Sequence, residues 1–228
     1  MAGQALLLGA TGLIGNHLLH QVLAADVFDT VRLVGRRHPE VDDPRVQTVT
    51  CELDALASCA PGTFRVDVVF CCLGTTLRKA GSREAFHKVD HDYCVAAATL
   101  AKAAGVRHFV MVSAVNANSR GLSYYARVKS ETERDVMVLG LPRVTFMQPS
   151  LLEGERDELR FAEEIGVKAM SLVKPLMGWT RADWLPIPAE HVATAMWMAT
   201  TTDGPACQRL RYRDIERLVD DSKTLVER

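Results

Sequence analysis

The chain has 228 residues, which is enough for one domain with a sizeable core, so we expect a single domain over residues 1–228. Hydrophobic residues make up 48% and charged residues 24%, which excludes a chain that is mainly disordered, collagen-like or coiled coil. The 27 basic and 28 acidic side chains leave a formal charge of -1, with no broad basic field for nucleic acid.

Two further classes are excluded by the order of the residues. No apolar run approaches the roughly 18 residues of a membrane span, and the N-terminus lacks the charged region of a signal peptide. We therefore expect a cytoplasmic protein with no nucleic-acid partner and no membrane partner. The six cysteines lie on apolar stretches without C-x-x-C spacing, which favours buried free thiols over disulfides or structural zinc: Cys51, Cys59, Cys71, Cys72, Cys94 and Cys207.

Short strand-like runs alternate with longer helix-like runs along the chain, which is typical of βαβ units around a mostly parallel sheet. Strands are predicted at Gln4–Gly9, Val31–Gly35, Val46–Thr50, Val66–Cys72, Arg107–Ser113 and Arg143–Gln148, with a weaker one at Gln208–Tyr212. Helices are predicted at Leu13–Ala25, Ser82–Ala104, Ser123–Leu139 and Ala189–Thr201. The pattern predicts a doubly wound α/β fold with helices on both faces of the sheet.

The alternation of predicted strands and helices stops after Pro149. Residues 150–188 are predicted to be irregular loops that cover the substrate within the same domain, and specificity is expected there. Trp179 and Trp184 fall in this segment and fit either a pocket wall or a small local core. The acidic residues between Glu153 and Glu164 are interpreted as a solvated face.

A glycine-rich turn connects the first strand to the first helix. Gly9, Thr11, Gly12, Leu13, Ile14 and Gly15 belong to a G-x-x-G-x-x-G turn. Glycines let the backbone approach a pyrophosphate closely, and a helix N-terminus offers N–H groups and the positive end of its dipole. The turn therefore predicts a phosphate-bearing ligand, because its position between a strand and an amphipathic helix is the context that this motif requires.

Two arginines follow the second predicted strand. An NAD-selective site usually has an acidic residue about 20 residues after the last glycine, bound to the ribose 2′-hydroxyl. This chain has Gly35, Arg36 and Arg37 there. Because a guanidinium pairs bidentately with phosphate, Arg36 and, less directly, Arg37 favour NADP(H) over NAD(H).

Three polar residues are candidates for acid–base chemistry. Tyr125 and Lys129 are four residues apart and share one face of a predicted helix, whereas Tyr124 lies off that face. Ser113 ends the fifth strand, at the sheet edge where α/β proteins bind ligands. An ammonium near a phenol favours the phenolate, and a hydroxyl donor can hold a carbonyl, so this trio predicts proton transfer coupled to hydride transfer.

Together these motifs resemble the short-chain dehydrogenase/reductase superfamily over about residues 4–200. The segments Cys71–Thr76, Lys79–Gly81 and Val89–Tyr93 resemble its atypical branch of Tat-interacting oxidoreductase-like proteins and their bacterial relatives. The resemblance implies a Rossmann-like fold in which the glycine turn binds the pyrophosphate, Leu73 and Gly74 bind the adenosine side, and Ser113, Tyr125 and Lys129 are catalytic. It also implies that Lys129 and Pro149 contact the nicotinamide end. The chain departs from the usual pattern at Asp90, where asparagine is common, and at Ser150, where glycine often follows the proline.

These observations favour an NADP(H)-dependent oxidoreductase that acts on a small carbonyl or alcohol. Two alternatives stay open: an NADP(H)-binding sensor or scaffold with little or no catalysis, and a nucleotide-sugar epimerase-like enzyme. A homodimer or a protein partner is also compatible with the exposed helix faces. His87, His91 and Cys94 form a row on one predicted helix, but with no fourth ligand in sequence the row is interpreted as a helix packed on the sheet.

Overall fold

The computed structural model describes residues 3–153 and 185–226, apart from 61, 116 and 118–122. Seven strands form one parallel sheet in the order β3-β2-β1-β4-β5-β6-β9. Its strands are β1 Gly3–Leu8, β2 Phe28–Gly35, β3 Val46–Thr50, β4 Val68–Cys71, β5 His108–Val112, β6 Arg143–Met147 and β9 Cys207–Leu210. The short strands β7 Leu152–Glu153 and β8 Ile187–Pro188 pair separately.

Helices cover both faces of the sheet, as predicted. They are α1 Leu13–Ala24, α2 Leu77–Ala80, α3 Arg83–His87, α4 Tyr93–Ala103, α5 Tyr124–Val138, α6 Ala189–Thr201 and α7 Tyr212–Val226, with a 3-10 turn at Leu53–Ser58. One core cluster joins the sheet to α1, α6 and α7, and the other joins it to α4 and α5. The central strand β4 is buried at all of its residues, which fits its continuous apolar sequence.

The predicted helix Ser82–Ala104 forms, but a π-helical turn at Lys88–Asp92 interrupts it. Ser82 caps its start, since the Ser82 side chain accepts a hydrogen bond from the Ala85 N–H. The π turn moves the buried face of the helix onto Asp90 and Cys94.

The expectation for the cysteines was only partly correct, and one helix was not predicted. Cys51 and Cys59 form a disulfide across a separation of 8 residues, and Cys207 is exposed, so buried free thiols describe the cysteines only in part. The sequence also gave no prediction for α7. Its buried Ile215 and Val219 are four residues apart among evenly mixed charges, which masked the helical period.

Candidate functional site

A cleft of about 220 Å³ opens at the carboxyl ends of the central strands. The strand order reverses between β1 and β4, and a crevice at such a switch point is the usual ligand site of an open α/β sheet. The lining comes from the start of α1, the loop after β4, the π turn, α5 and the segment after β6. Nine of the residues predicted for the site line this cleft: Gly12, Leu13, Ile14, Leu73, Gly74, Ser113, Tyr125, Lys129 and Pro149.

The glycines of the turn have two different roles. Gly9 has a φ of +84°, and a Cβ on it would lie 2.6 Å from the Cys72 carbonyl oxygen. A Cβ on Gly15 would overlap the Gly9 carbonyl oxygen. These two glycines are therefore required for the close packing of β1, α1 and β4.

Gly12 differs from them because it lines the cleft. It is the N-cap of α1, and its own N–H donates to the Gly9 carbonyl at 2.9 Å. No side chain caps α1, and its first turn holds no acidic residue, so its main-chain N–H groups face the cleft without a local anion. The turn fits a phosphate group of a dinucleotide, with exposed Thr11 beside it.

A buried ion pair forms the floor of the cleft. The Lys129 Nζ lies 2.7 Å from the Asp90 Oδ1, and their side chains are only 4% and 1% exposed. Burial lowers the pKa of Lys129, but Asp90, Tyr125 and Cys94 together raise it by more and hold that pKa above its ordinary value. The other Asp90 oxygen accepts from the Thr75 N–H at 2.8 Å. Asp90 thus connects the ammonium of α5 to the loop after β4, and Gly74 packs against the pair.

Tyr125 occupies the first turn of α5, and its ring packs against Phe86 with centroids 5.7 Å apart. Burial raises the pKa of its phenol, nearby Lys129 opposes this shift, and Asp90 adds to it. The pKa of Tyr125 is therefore raised and not lowered as expected, because burial of the phenol outweighs the effect of the ammonium and Asp90 adds to it. The neighbouring Tyr124 lies elsewhere, with its hydroxyl donating to the Arg83 carbonyl at 3.1 Å.

Ser113 contributes to the cleft wall, but its hydroxyl is engaged within the protein. The Ser113 Oγ donates to the Glu133 Oε1 at 2.5 Å, and Gln148 Nε2 donates to the same oxygen at 2.8 Å. The other Glu133 oxygen accepts from Arg209 Nε at 2.7 Å. Glu133 is 3% exposed, so this network fixes the side chain of Ser113 from behind the cleft.

Arg36 and Arg37 do not line the cleft. They are exposed and directly follow β2, the strand next to β1. Within the part of the chain that the structure describes, neither forms an ion pair. Trp179 and Trp184 lie outside the described residues, as does most of the predicted substrate-covering segment.

Two residues of the site were missed from sequence. Glu133 was not singled out, although it is four residues after Lys129 and eight after Tyr125, so that the three share one helix face. Asp90 was noted only as a departure at a usual asparagine position. Its burial depends on the π turn, for which the sequence has no signal.

Comparisons with known proteins show the family of this chain. A family model described as NAD(P)H-binding matches residues 9–169. Protein HTATIP2 of Rattus norvegicus is 38% identical over 165 residues, which cover 71% of this chain and 68% of that protein. Protein FMP52, mitochondrial, of Debaryomyces hansenii is 33% identical over 226 residues, which cover 94% of this chain and 97% of that protein.

Solved structures share the fold at low sequence identity. MoeE5 in complex with UDP-glucuronic acid and NAD matches with a TM-score of 0.69 and 17% identity, over 92% of this chain and 76% of that chain. A short-chain dehydrogenase from Streptomyces avermitilis matches with a TM-score of 0.58 and 18% identity, over 99% of this chain and 94% of that chain. The Rossmann-like fold predicted from the sequence is confirmed.

The predicted cytoplasmic location is contradicted. The FMP52 relatives from Meyerozyma guilliermondii, Debaryomyces hansenii and Candida glabrata are named mitochondrial. Among the described residues, none of the helices is both long and apolar enough to cross a membrane. With most of its length matched by the family model and its relatives more than 30% identical, the chain belongs to the NAD(P)H-binding family as a homologue of HTATIP2 and the FMP52 proteins.

Proposed function

We propose that this NAD(P)H-binding protein is an NADP(H)-dependent oxidoreductase acting on a small carbonyl or alcohol. The observation that supports this most strongly is that Tyr125 and Lys129 line the same cleft as the uncapped start of α1. A proton donor and a phosphate-binding turn in one crevice are the two groups that hydride transfer requires from the protein.

The residues of the cleft divide between the parts of a dinucleotide. The turn from Gly9 to Gly15 would hold the pyrophosphate, Leu73 and Gly74 the adenosine side, and Lys129 and Pro149 the nicotinamide end. When bound, the nicotinamide supplies or accepts the hydride. Arg36 and Arg37 carry two positive charges at the end of β2, which supports selection of a 2′-phosphate and hence of NADP(H).

Tyr125 would supply the proton in carbonyl reduction. Burial raises the pKa of its phenol, Lys129 opposes this shift and Asp90 adds to it, so Tyr125 is protonated at neutral pH. A protonated phenol can donate to the oxygen of a carbonyl as the hydride arrives. Ser113 would hold the substrate oxygen only after exchanging its hydrogen bond with Glu133 for one with the substrate.

The test uses the two adjacent tyrosines as a matched pair. Purified protein is assayed for NADPH oxidation with a panel of aldehydes, ketones and quinones, and NADPH affinity is measured separately by calorimetry. Tyr125→Phe is expected to retain NADPH affinity and to lose turnover by about 100-fold or more, whereas Tyr124→Phe stays within about twofold. Equal turnover of Tyr125→Phe and wild type would contradict the proposal.

A second candidate function has support from the same geometry. The polar atoms of Ser113 and Lys129 are both engaged by buried carboxylates, as in a cleft built to bind a nucleotide without reacting. In that case the protein is an NADP(H)-binding sensor or scaffold whose bound nucleotide changes a surface for a protein partner. An NADPH-dependent protein complex that survives Tyr125→Phe, together with no turnover on the whole panel, would favour this candidate.

A further inference from the structure

Two histidines lie side by side on the interrupted helix, and neither lines the cleft. His87 ends α3 and His91 lies in the π turn, and their ring centroids are 4.4 Å apart. Cys94, which is in the same row by sequence, instead turns inward and is fully buried with its Sγ 3.8 Å from the Cys71 Sγ. The row therefore does not supply three ligands, but its two imidazoles lie side by side.

The facing helix α5 supplies carboxylates that the sequence could not place. The His87 Nε2 lies 3.5 Å from the Glu131 Oε2, and the His91 Nε2 lies 3.0 Å from the Asp135 Oδ2. One ligand atom from each of His87, His91 and Glu131 lies within 4.8 Å of the other two. Ligand atoms around a tetrahedral zinc ion are about 3.4 Å apart. Side-chain rotations that move each ligand atom by about 1 Å would therefore bring the three onto one ion.

The surroundings of the trio suit a cation. Asp92, Glu131 and Asp135 place three carboxylates beside the two rings, and Arg134 pairs with two of them. The Asp92 Oδ1 lies 2.8 Å from the His91 Nδ1 and 3.2 Å from the His87 Nδ1. A proton on each Nδ1 shared with Asp92 is the usual carboxylate–histidine arrangement behind a metal ligand. An ion bound at the His91 Nε2 would replace the proton that this nitrogen shares with Asp135.

We propose that His87, His91 and Glu131 form a site for one divalent cation of the zinc class, with a water molecule as the fourth ligand. Two imidazole nitrogens and one carboxylate oxygen match Zn²⁺, Co²⁺ and Ni²⁺, whereas Mg²⁺ and Ca²⁺ prefer oxygen ligands throughout. The side chains are 30%, 14% and 42% exposed, so an ion can enter from solvent.

The position of the site gives the cation a structural effect. His91 adjoins Asp90, and Glu131 is two residues after Lys129. A bound ion would tie the π turn to α5, which are the two segments that carry the buried ion pair of the cleft. The proposed site is independent of the proposed enzymatic function, since metal binding can be measured with no substrate or nucleotide present.

The experiment uses the untagged full chain with Cys207→Ser, which removes the exposed thiol as a competing ligand. Zn²⁺ affinity is measured by competition with a chromophoric chelator, and Co²⁺ binding by its visible absorption. We expect one ion per chain and a Co²⁺ spectrum that Zn²⁺ abolishes. His91→Ala and Glu131→Gln should each weaken Zn²⁺ binding at least tenfold, and His20→Ala on α1 is the control that should not.

Several results would overturn the site. These are no stoichiometric Zn²⁺ binding by the parent protein, a Co²⁺ spectrum without visible bands, or unchanged affinity in both variants. The Co²⁺ spectrum of the parent needs no variant, so the inference stays testable even where His91→Ala disturbs folding.

Discussion

The buried pair of Asp90 and Lys129 makes the sharpest prediction about stability. Their charged atoms are 2.7 Å apart, and the side chains are 1% and 4% exposed. Asp90→Asn removes the negative charge while keeping the shape, and leaves a buried ammonium without a counter-ion. Because breaking a buried pair by removing one partner costs about 3–5 kcal/mol, Asp90→Asn should lower the free energy of unfolding by about 3 kcal/mol or more at pH 7.

A matched control is available on the neighbouring exposed pair. Asp54 lies 2.6 Å from Lys88, but the Lys88 and Asp54 side chains are 49% and 61% exposed. Asp54→Asn should therefore change the free energy of unfolding by less than about 1 kcal/mol. Both variants are measured by urea denaturation, with linear extrapolation to water.

The pH dependence gives a second, independent readout of the same pair. In the wild-type protein the pKa of Lys129 lies above its ordinary value of 10.5, so the stabilisation is present below pH 10.5 and is lost as pH rises through the folded-state pKa. In Asp90→Asn, the largest contribution that raises the pKa of Lys129 is gone, so the pKa falls under the effect of burial. The stability difference between wild type and variant should thus shrink toward pH 10.5. An Asp90→Asn protein that loses no more stability than Asp54→Asn would refute the reasoning.

Three further predictions concern the scaffold. Burial lowers the pKa of His108 to about 3, so the free energy of unfolding should fall as pH drops below about 6.5, by about 2 kcal/mol at pH 5. His108→Gln should remove this dependence on pH, which urea denaturation at several pH values would measure. The Cys51–Cys59 disulfide closes a short loop, so the double variant Cys51→Ser, Cys59→Ser should lose about 2–3 kcal/mol of unfolding free energy. Titration of the thiols in the unreduced, denatured wild type should give four free thiols, whereas a protein without the disulfide would give six. Gly15→Ala should lower the free energy of unfolding by about 1–3 kcal/mol, because the new Cβ would overlap the Gly9 carbonyl oxygen. Gly12→Ala should weaken NADPH binding and change the thermal midpoint less. Equal thermal midpoints for the two variants would contradict the separate roles of these glycines.

The sequence was sufficient for the sheet and for most of the cleft. The strand from Val66 to Cys72 and the helix from Ser123 to Leu139 have strong apolar periods and clear ends, and the structure has both within two residues of the predicted bounds. The glycine turn and the spacing of Tyr125 and Lys129 likewise gave the correct end of the sheet, because parallel strands bring their carboxyl ends together.

The electrostatics of the cleft could not be predicted in the same way. The π turn that buries Asp90 depends on packing between the interrupted helix and α5. The local sequence does not indicate this packing. Glu133 is buried because Arg209 comes from the last strand, 76 residues away. Contacts across such separations decide whether a charged residue of a helix lies in solvent or in the core, so sequence patterns alone could not place these two residues.

The proposal that the protein prefers NADP(H) to NAD(H) is tested most directly by a nucleotide titration. Protein stripped of nucleotide is titrated with NADPH and with NADH by calorimetry, in wild type, Arg36→Glu and, as an exposed charge control on α7, Arg217→Glu. The account predicts that wild type and Arg217→Glu bind NADPH at least tenfold more tightly than NADH, and that Arg36→Glu loses this preference while still binding NADH. Equal affinity of wild type for the two nucleotides, or an unchanged preference in Arg36→Glu, would contradict it.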